Sequence, residues 1–202
     1  MEPSPDSTPG NHVARAAVEA AGAARRMAGP ALADGPRAAD GALEGGTATY
    51  AQGRARELGS LAGILEEVAE EARTLDDRLA IAPDEDRARL LQRVFDLAFE
   101  VLEGAAAVVR LGGVAASAAG QATSEVTGGL PSGLVPASLE AQAALELTLS
   151  TLRSLAGRME ASDELRLRLR VGESILAEIQ QRLSRMRSLD PHRTAANGGS
   201  DD

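Results

Sequence analysis

Residues 58–79 read LGSLAGILEEVAEEARTLDDRL. Within them Leu58, Leu61, Leu65, Val68, Ala72, Leu75 and Leu79 follow one another by steps of three and four. That is the a/d rhythm of a heptad repeat, which places all seven side chains on one stripe of an α-helix. Ala62 and Ala69 widen the stripe, whereas Glu66, Glu67, Glu70, Arg73 and Asp77 fall on the opposite, solvent-facing side. The helix stops before Pro83, which cannot continue it.

The same rhythm recurs downstream. Asp84-Glu85-Asp86 places carboxylates in a first turn, where the positive end of the helix dipole favours them. Leu91, Val94, Ala98, Val101, Ala105 and Val108 follow, thickened by Phe95, Leu102 and Val109. This helix is the most apolar of the set and is expected to be the most buried. From Leu111 to Pro136 the pattern gives way to Gly, Ala, Ser and Thr, with breakers at Gly128-Gly129, Pro131 and Pro136. Periodicity resumes near Ser138 with Leu145, Leu149, Leu152, Ala156 and Met159. Ser162 is a good N-cap, and Asp163 and Glu164 suit the first turn behind it. A last seam then runs through Leu165, Leu169, Gly172, Leu176, Ile179, Leu183 and Met186. Residues 165–171 also alternate Leu and Arg with period two, ending on Val171. The heptad running straight through them and the lack of a partner strand favour helix.

The expected fold is all-α: an antiparallel four-helix bundle, or a coiled-coil-like assembly, of two helical hairpins joined by a Gly-rich crossover. Residues 54–111 form an acidic hairpin, 112–137 the crossover and 138–189 a weakly basic hairpin. Residues 54–103 hold seven arginines against thirteen acids, and residues 141–193 nine arginines against seven acids. The two halves therefore attract one another, within one chain or between chains. Residues 1–53 read as a disordered region with one short Ala-rich helix, capped by Asn11 and ending at Gly29-Pro30. Its stripe of Val13, Ala17, Ala20, Ala24 and Met27 is too poor in large side chains to dock strongly. Residues 190–202 read as a disordered tail.

Composition narrows the chemistry. The 202 residues include no cysteine, lysine or tryptophan, and the only aromatics are Tyr50, Phe95 and Phe99. Such a composition is characteristic of a GC-rich, bacterial coding sequence. The net charge is −9. An acidic chain without a basic stripe or stacking aromatics is a poor ligand for nucleic acid. The first residues lack the basic and apolar regions of a secretory signal, and no run of large apolar residues reaches membrane-spanning length, so a cytoplasmic protein is expected.

A catalytic repertoire is hard to assemble. Thiolate and amine nucleophiles are missing, and the two imidazoles, His12 and His192, fall in expected tails. The Walker lysine is lacking, as are zinc-ligand clusters, and no histidine lies in the expected bundle for a ferritin-like di-iron site. Glu66-Glu67-Val68-Ala69-Glu70-Glu71, followed by Asp96, Glu100 and Glu103, resembles the all-α nucleotide pyrophosphohydrolases. That resemblance implies magnesium held by Glu-x-x-Glu on one helix and Glu-x-x-Asp on the next. Here the second motif ends in Glu103 rather than Asp, and the heptad turns Glu66, Glu67 and Glu70 away from the core.

The expected function is therefore non-enzymatic, with no cofactor, metal or small-molecule substrate. It rests on heptad-patterned contacts with a protein partner or with further copies of the chain. The interaction seam comprises Leu58, Leu61, Leu65, Val68, Leu75 and Leu79 of one helix. Leu165, Leu169, Leu176, Ile179, Leu183 and Met186 supply the other. Glu57, Glu71 and Asp76 beside the first seam, and Arg166, Arg168, Arg182 and Arg187 beside the second, are candidates for setting the pairing. A second reading is peripheral contact with a membrane or granule surface. Amphipathic helices flanking the Gly/Ala-rich stretch resemble bacterial secretion-system translocators. The Ala-rich, aromatic-poor composition is similar to that of phasins, which coat polyester granules.

Overall fold

The computed structural model describes residues 8–33, 45–123, 134–159 and 162–188. They form five α-helices: α1 (Pro9–Ala33), α2 (Gly45–Ile81), α3 (Asp84–Thr123), α4 (Leu134–Ala156) and α5 (Asp163–Ser188). Among the described residues there is no strand. The readings of 1–7 and 190–202 as tails and of 124–133 as crossover lie outside the described residues.

Local chemistry sets the helix ends. Thr8 caps α1: its carbonyl accepts a bond from His12 N, and Pro9 occupies the first helical position, where a missing N–H costs nothing. The expected cap, Asn11, lies one turn inside the helix. Ala82 and Pro83 alone separate α2 from α3, and the Pro83 carbonyl accepts from both Asp86 N and Arg87 N. Pro136 sits in the first turn of α4, again among N–H groups that have no intrahelical acceptor. At α5, Ser162 Oγ accepts from Leu165 N at 3.2 Å, and Asp163 and Glu164 follow in the first turn.

Successive helices run up and down. Antiparallel α2 and α3 meet at Glu71–Arg93 and again where Leu65 abuts Gly104. Antiparallel α1 and α2 meet at Gly10–Asp76 and Arg25–Glu66. By contrast, α3 and α5 are parallel, in contact at Asp96–Arg168, Leu102–Gly172 and Arg110–Glu178. Helix α1 packs on α2, α3 and α4, while α5 packs on α3 and α4. Helix α3 touches all four of the others. Its residues Val94, Phe95, Leu97, Ala98, Val101, Leu102, Ala105, Ala106, Val108 and Val109 are essentially inaccessible to water.

Three expectations need correction. Residues 1–53 contain an integral core helix, not a weakly docked one. Val13, Ala14, Ala16, Ala17, Ala20, Ala21, Ala23, Ala24, Met27 and Ala28 are all buried in α1. Small side chains let this helix approach its neighbours closely, so dispersion contacts from backbone and methyl groups replace those of large side chains. Of the crossover expected at 112–137, residues 112–123 and 134–137 are helical. Helix α3 continues through Gly112-Gly113 to Thr123, and α4 starts at Leu134. Helix α2 likewise reaches back to Gly45, beyond the expected start at Arg54.

Helix α1 comes close to α2 at Gly10. A methyl group there would lie 2.6 Å from Asp76 Cβ and 2.7 Å from the Ala72 carbonyl oxygen. Gly10→Ala is therefore expected to destabilise the protein by about 1–3 kcal/mol through overpacking against backbone. Gly59 on the open side of α2 has nothing within 4 Å. Gly59→Ala is expected to stabilise by about 0.5–1 kcal/mol by restricting the unfolded chain and improving helix propensity. Urea unfolding followed by circular dichroism distinguishes the two signs.

Candidate interaction surface

Placing the expected seams in the fold changes their meaning. Leu58, Leu65, Val68 and Leu75 of α2 are buried, as are Leu165, Ile179 and Leu183 of α5. Leu61, Leu79, Leu169, Leu176 and Met186 are partly buried and pack against the same core. Both seams are thus occupied within the chain, with α1, α3 and α4 supplying the partners. They do not present a free surface.

The flanking charges are similarly engaged. Arg93 forks onto Glu71, with Nε–Oε1 at 2.7 Å and Nη2–Oε2 at 2.8 Å. The bond from Glu71 holds the Arg93 pKa above the ordinary guanidinium value, against the opposing effect of burial. Asp76 accepts from Thr8 Oγ1 and from Gly10 N, tying down the start of α1. Glu57 pairs with Arg54 one turn earlier, and Arg166 with Asp163. Arg168 bonds Asp96 at 2.6 Å and Glu164 at 3.1 Å, with its guanidinium 5.8 Å above the Phe99 ring. Arg187 lies on α5, with its side chain outside the described residues.

Glu178 is the best-connected carboxylate of the second half. Arg110 donates to it through Nε at 3.2 Å and Nη2 at 2.5 Å, and Arg182 donates through Nε at 2.8 Å. These bonds, Arg110 first, hold its pKa below the ordinary carboxylate value. The same bond raises the pKa of Arg110. The attraction expected between the halves is realised inside one chain, although its charges are mixed: Asp96 of α3 meets Arg168 of α5, but Arg110 of α3 meets Glu178. A buried Leu or Ile side chain contributes roughly 1.5–3 kcal/mol, whereas ion pairs of this exposure are screened by water. The apolar seam therefore holds α5 in place, and the ion pairs fix its register on α3.

The carboxylates that resemble a magnesium site diverge. Glu66 turns to Arg25 of α1, Glu70 to Arg73 on its own helix and Glu71 to Arg93 of α3, while Glu67 is exposed. Among the described residues no group of three or more His, Asp or Glu is arranged to hold a metal ion. His12 is on α1 rather than in a tail. It lines an open crevice with Asn11, Ala14, Arg15, Val18, Glu19 and Arg73, a set with no hydroxyl or thiol nucleophile.

What remains open is apolar. Five large apolar side chains are exposed among the described residues: Val18, Ile64, Ile81, Leu167 and Val171. Three of them flank α3. Ile64 stands two turns before Glu71, whose carboxylate reaches Arg93 of α3, so both occupy the α3-facing edge of α2. Val171 stands two turns before Glu178, which reaches Arg110 of α3, and Leu167 lies one turn earlier on the same edge of α5. Leu65 meets α3 at Gly104 and Gly172 meets it at Leu102. The outward stripe of α3 between these edges carries Asp96, Glu100, Glu103 and Ala107. Together they make one face over α3, with exposed apolar residues at both edges and acidic residues between them. One sequence signal pointed to it: the Leu/Arg alternation of 165–171, which a single-faced amphipathic helix does not need.

Comparison with protein-family models gives no match for this chain, and neither curated proteins nor solved structures match it.

The Glu178 clamp makes the docking of α5 dependent on pH. A depressed folded-state pKa adds stability above the unfolded carboxylate value, and that contribution is lost as pH falls through the folded value. Glu178→Gln is therefore expected to lower the urea midpoint at pH 7, with the gap from the natural protein narrowing at an acid pH below the ordinary carboxylate value. An equal gap at both pH values would show that Glu178 acts other than through its charge.

Proposed function

We propose that this protein is a non-enzymatic helical interaction protein that engages a protein partner through the face over α3, between α2 and α5. The observation that supports this reading is the exposure of Ile64 (54%) on one side of α3 and of Leu167 (56%) and Val171 (41%) on the other. Isolated apolar side chains on a surface are ordinary, but three edging one face are characteristic of a contact patch. Burying them against a partner recovers the hydrophobic stabilisation that the fold itself leaves unused. The heptad seams contribute indirectly, since they fix α2 and α5 on either side of α3. No described helix is long and apolar enough to cross a membrane.

The test compares capture from native lysate by three immobilised proteins: the natural chain, an Ile64→Ser/Leu167→Ser/Val171→Ser variant, and a Val18→Ser control on another face. A partner specific to this face is expected to be retained by the control and reduced about tenfold or more by the triple variant. Equal recovery on all three would refute the assignment of this face. Light scattering of the same samples tests self-association, which the triple variant should abolish if the partner is a second copy.

A further inference from the structure

We propose that the cavity at the turn of the α2–α3 hairpin binds a small amphipathic carboxylate, an aliphatic acid whose head is held by Arg78 and Arg89. The site lies apart from the face over α3 and does not depend on that reading.

Helical spacing builds its walls. Glu71, Leu75, Arg78 and Ile81 follow one another along one side of α2, and Asp86, Arg89, Leu90 and Arg93 along the facing side of α3. Between them lies an open cavity of about 480 Å³, a volume within the range of small-molecule sites. The Glu71–Arg93 fork bounds one end of it, and the Ala82-Pro83 turn bounds the other. Leu75 and Leu90 are buried and give the cavity an apolar floor. Ile81 stands beside them 86% exposed, more than any other large apolar side chain among the described residues. An aliphatic chain laid on Leu75, Leu90 and Ile81 removes this surface from water.

Charge then selects the head. Of the acids near this end, Glu71 is held by Arg93, Glu70 by Arg73 and Asp84 by Arg87. Among the described residues Arg78 and Arg89 make no ion pair. One comes from each helix, so a carboxylate between them meets a guanidinium on either side, and the planar fork of arginine matches its two oxygens. Asp86 lines the same cavity and opposes an anion. With Glu71 and Arg93 neutralising one another, the rest of the lining is two arginines against one carboxylate, a local excess of positive charge in a chain of −9. The lining has no aromatic on which a nucleobase could stack. Its apolar floor favours an acid with a hydrocarbon body over a bare inorganic anion.

The test titrates the ¹⁵N-labelled full chain with octanoate, octanol and acetate and follows amide chemical shifts. Octanoate is expected to give saturable shifts in residues 71–93 and to bind about tenfold or more tightly than either octanol or acetate. Arg78→Gln/Arg89→Gln is expected to weaken octanoate about tenfold and leave octanol unchanged. Asp86→Asn removes the opposing charge and is expected to tighten octanoate about threefold, which a merely structural role for Asp86 would not do. Ile81→Ser is expected to weaken octanoate and octanol alike. Octanol binding as tightly as octanoate, or octanoate binding the double glutamine variant as it binds the natural chain, would overturn the assignment of the head. Octanoate shifts that do not saturate, or that fall outside the hairpin end, would overturn the site itself. All four substituted residues are exposed, and circular dichroism of each variant confirms that the helices are intact.

Discussion

The close approach of α1 to its neighbours is the constraint from which the rest of the architecture follows. Ala16, Ala17, Ala20, Ala23 and Ala24 have no accessible surface. Methyl groups this small place the helix where leucines would not fit. With α1 against α2, α3 and α4, the interior space beside α2 is filled. Helix α5 is therefore accommodated on the outer side of the α3–α4 pair. That displacement leaves α2 and α5 as the two banks of α3 rather than as facing members of one core. The placement of α2 and α5 on either side of α3 follows from packing a nearly pure alanine face into the interior.

Helix α3 makes this arrangement possible because it is apolar over most of its circumference. Phe95, Leu102 and Val109, with the smaller residues between them, supply packing surface to four neighbours at once. Between Val94 and Val109, Glu100 and Glu103 are exposed, with Asp96 and Ala107 half-buried beside them. The acids alternate between use and availability: Asp96 is drawn into the Arg168 contact, whereas Glu100 and Glu103 are not committed to α5. The register that Arg110 and Glu178 impose sets where Leu167 and Val171 stand along α3. Structure and candidate function are linked here by a single ion-pair-determined offset of α5 along α3.

Much of this was legible from side-chain spacing. The seams of α2, α3, α4 and α5 stand out because leucine and valine recur against a polar background, and the caps at Pro83, Ser162 and Asp84 follow from elementary helix-end chemistry. Helix α1 was underestimated because alanine gives almost no hydrophobic contrast. A periodicity argument sees size and polarity but not the tightness of packing that small residues permit. The crossover reads as starting at residue 112 because the apolar pattern fades there into Gly, Ala, Ser and Thr, and each glycine costs about 1 kcal/mol of helix propensity. In the fold Gly112 is buried against Met27 and Leu134, and such tertiary contacts override local preference. Most of both seams is covered within the chain. A heptad stripe shows that a helix has a partner but not whether that partner lies in the same chain. The residues edging the α3 face escaped notice because Ile64, Leu167 and Val171 lie off the main stripes, and their meaning appears only when two helices are set beside a third.

Amide hydrogen–deuterium exchange of the full chain in the absence of any partner tests the central role of α1 most directly. If α1 is part of the cooperative core, amides of Val13–Ala28 exchange only through global unfolding and share the protection of Val94–Val109. Rapid exchange across α1 with α3 still protected would contradict the account, because α1 would then not occupy the position that places α2 and α5 on either side of α3.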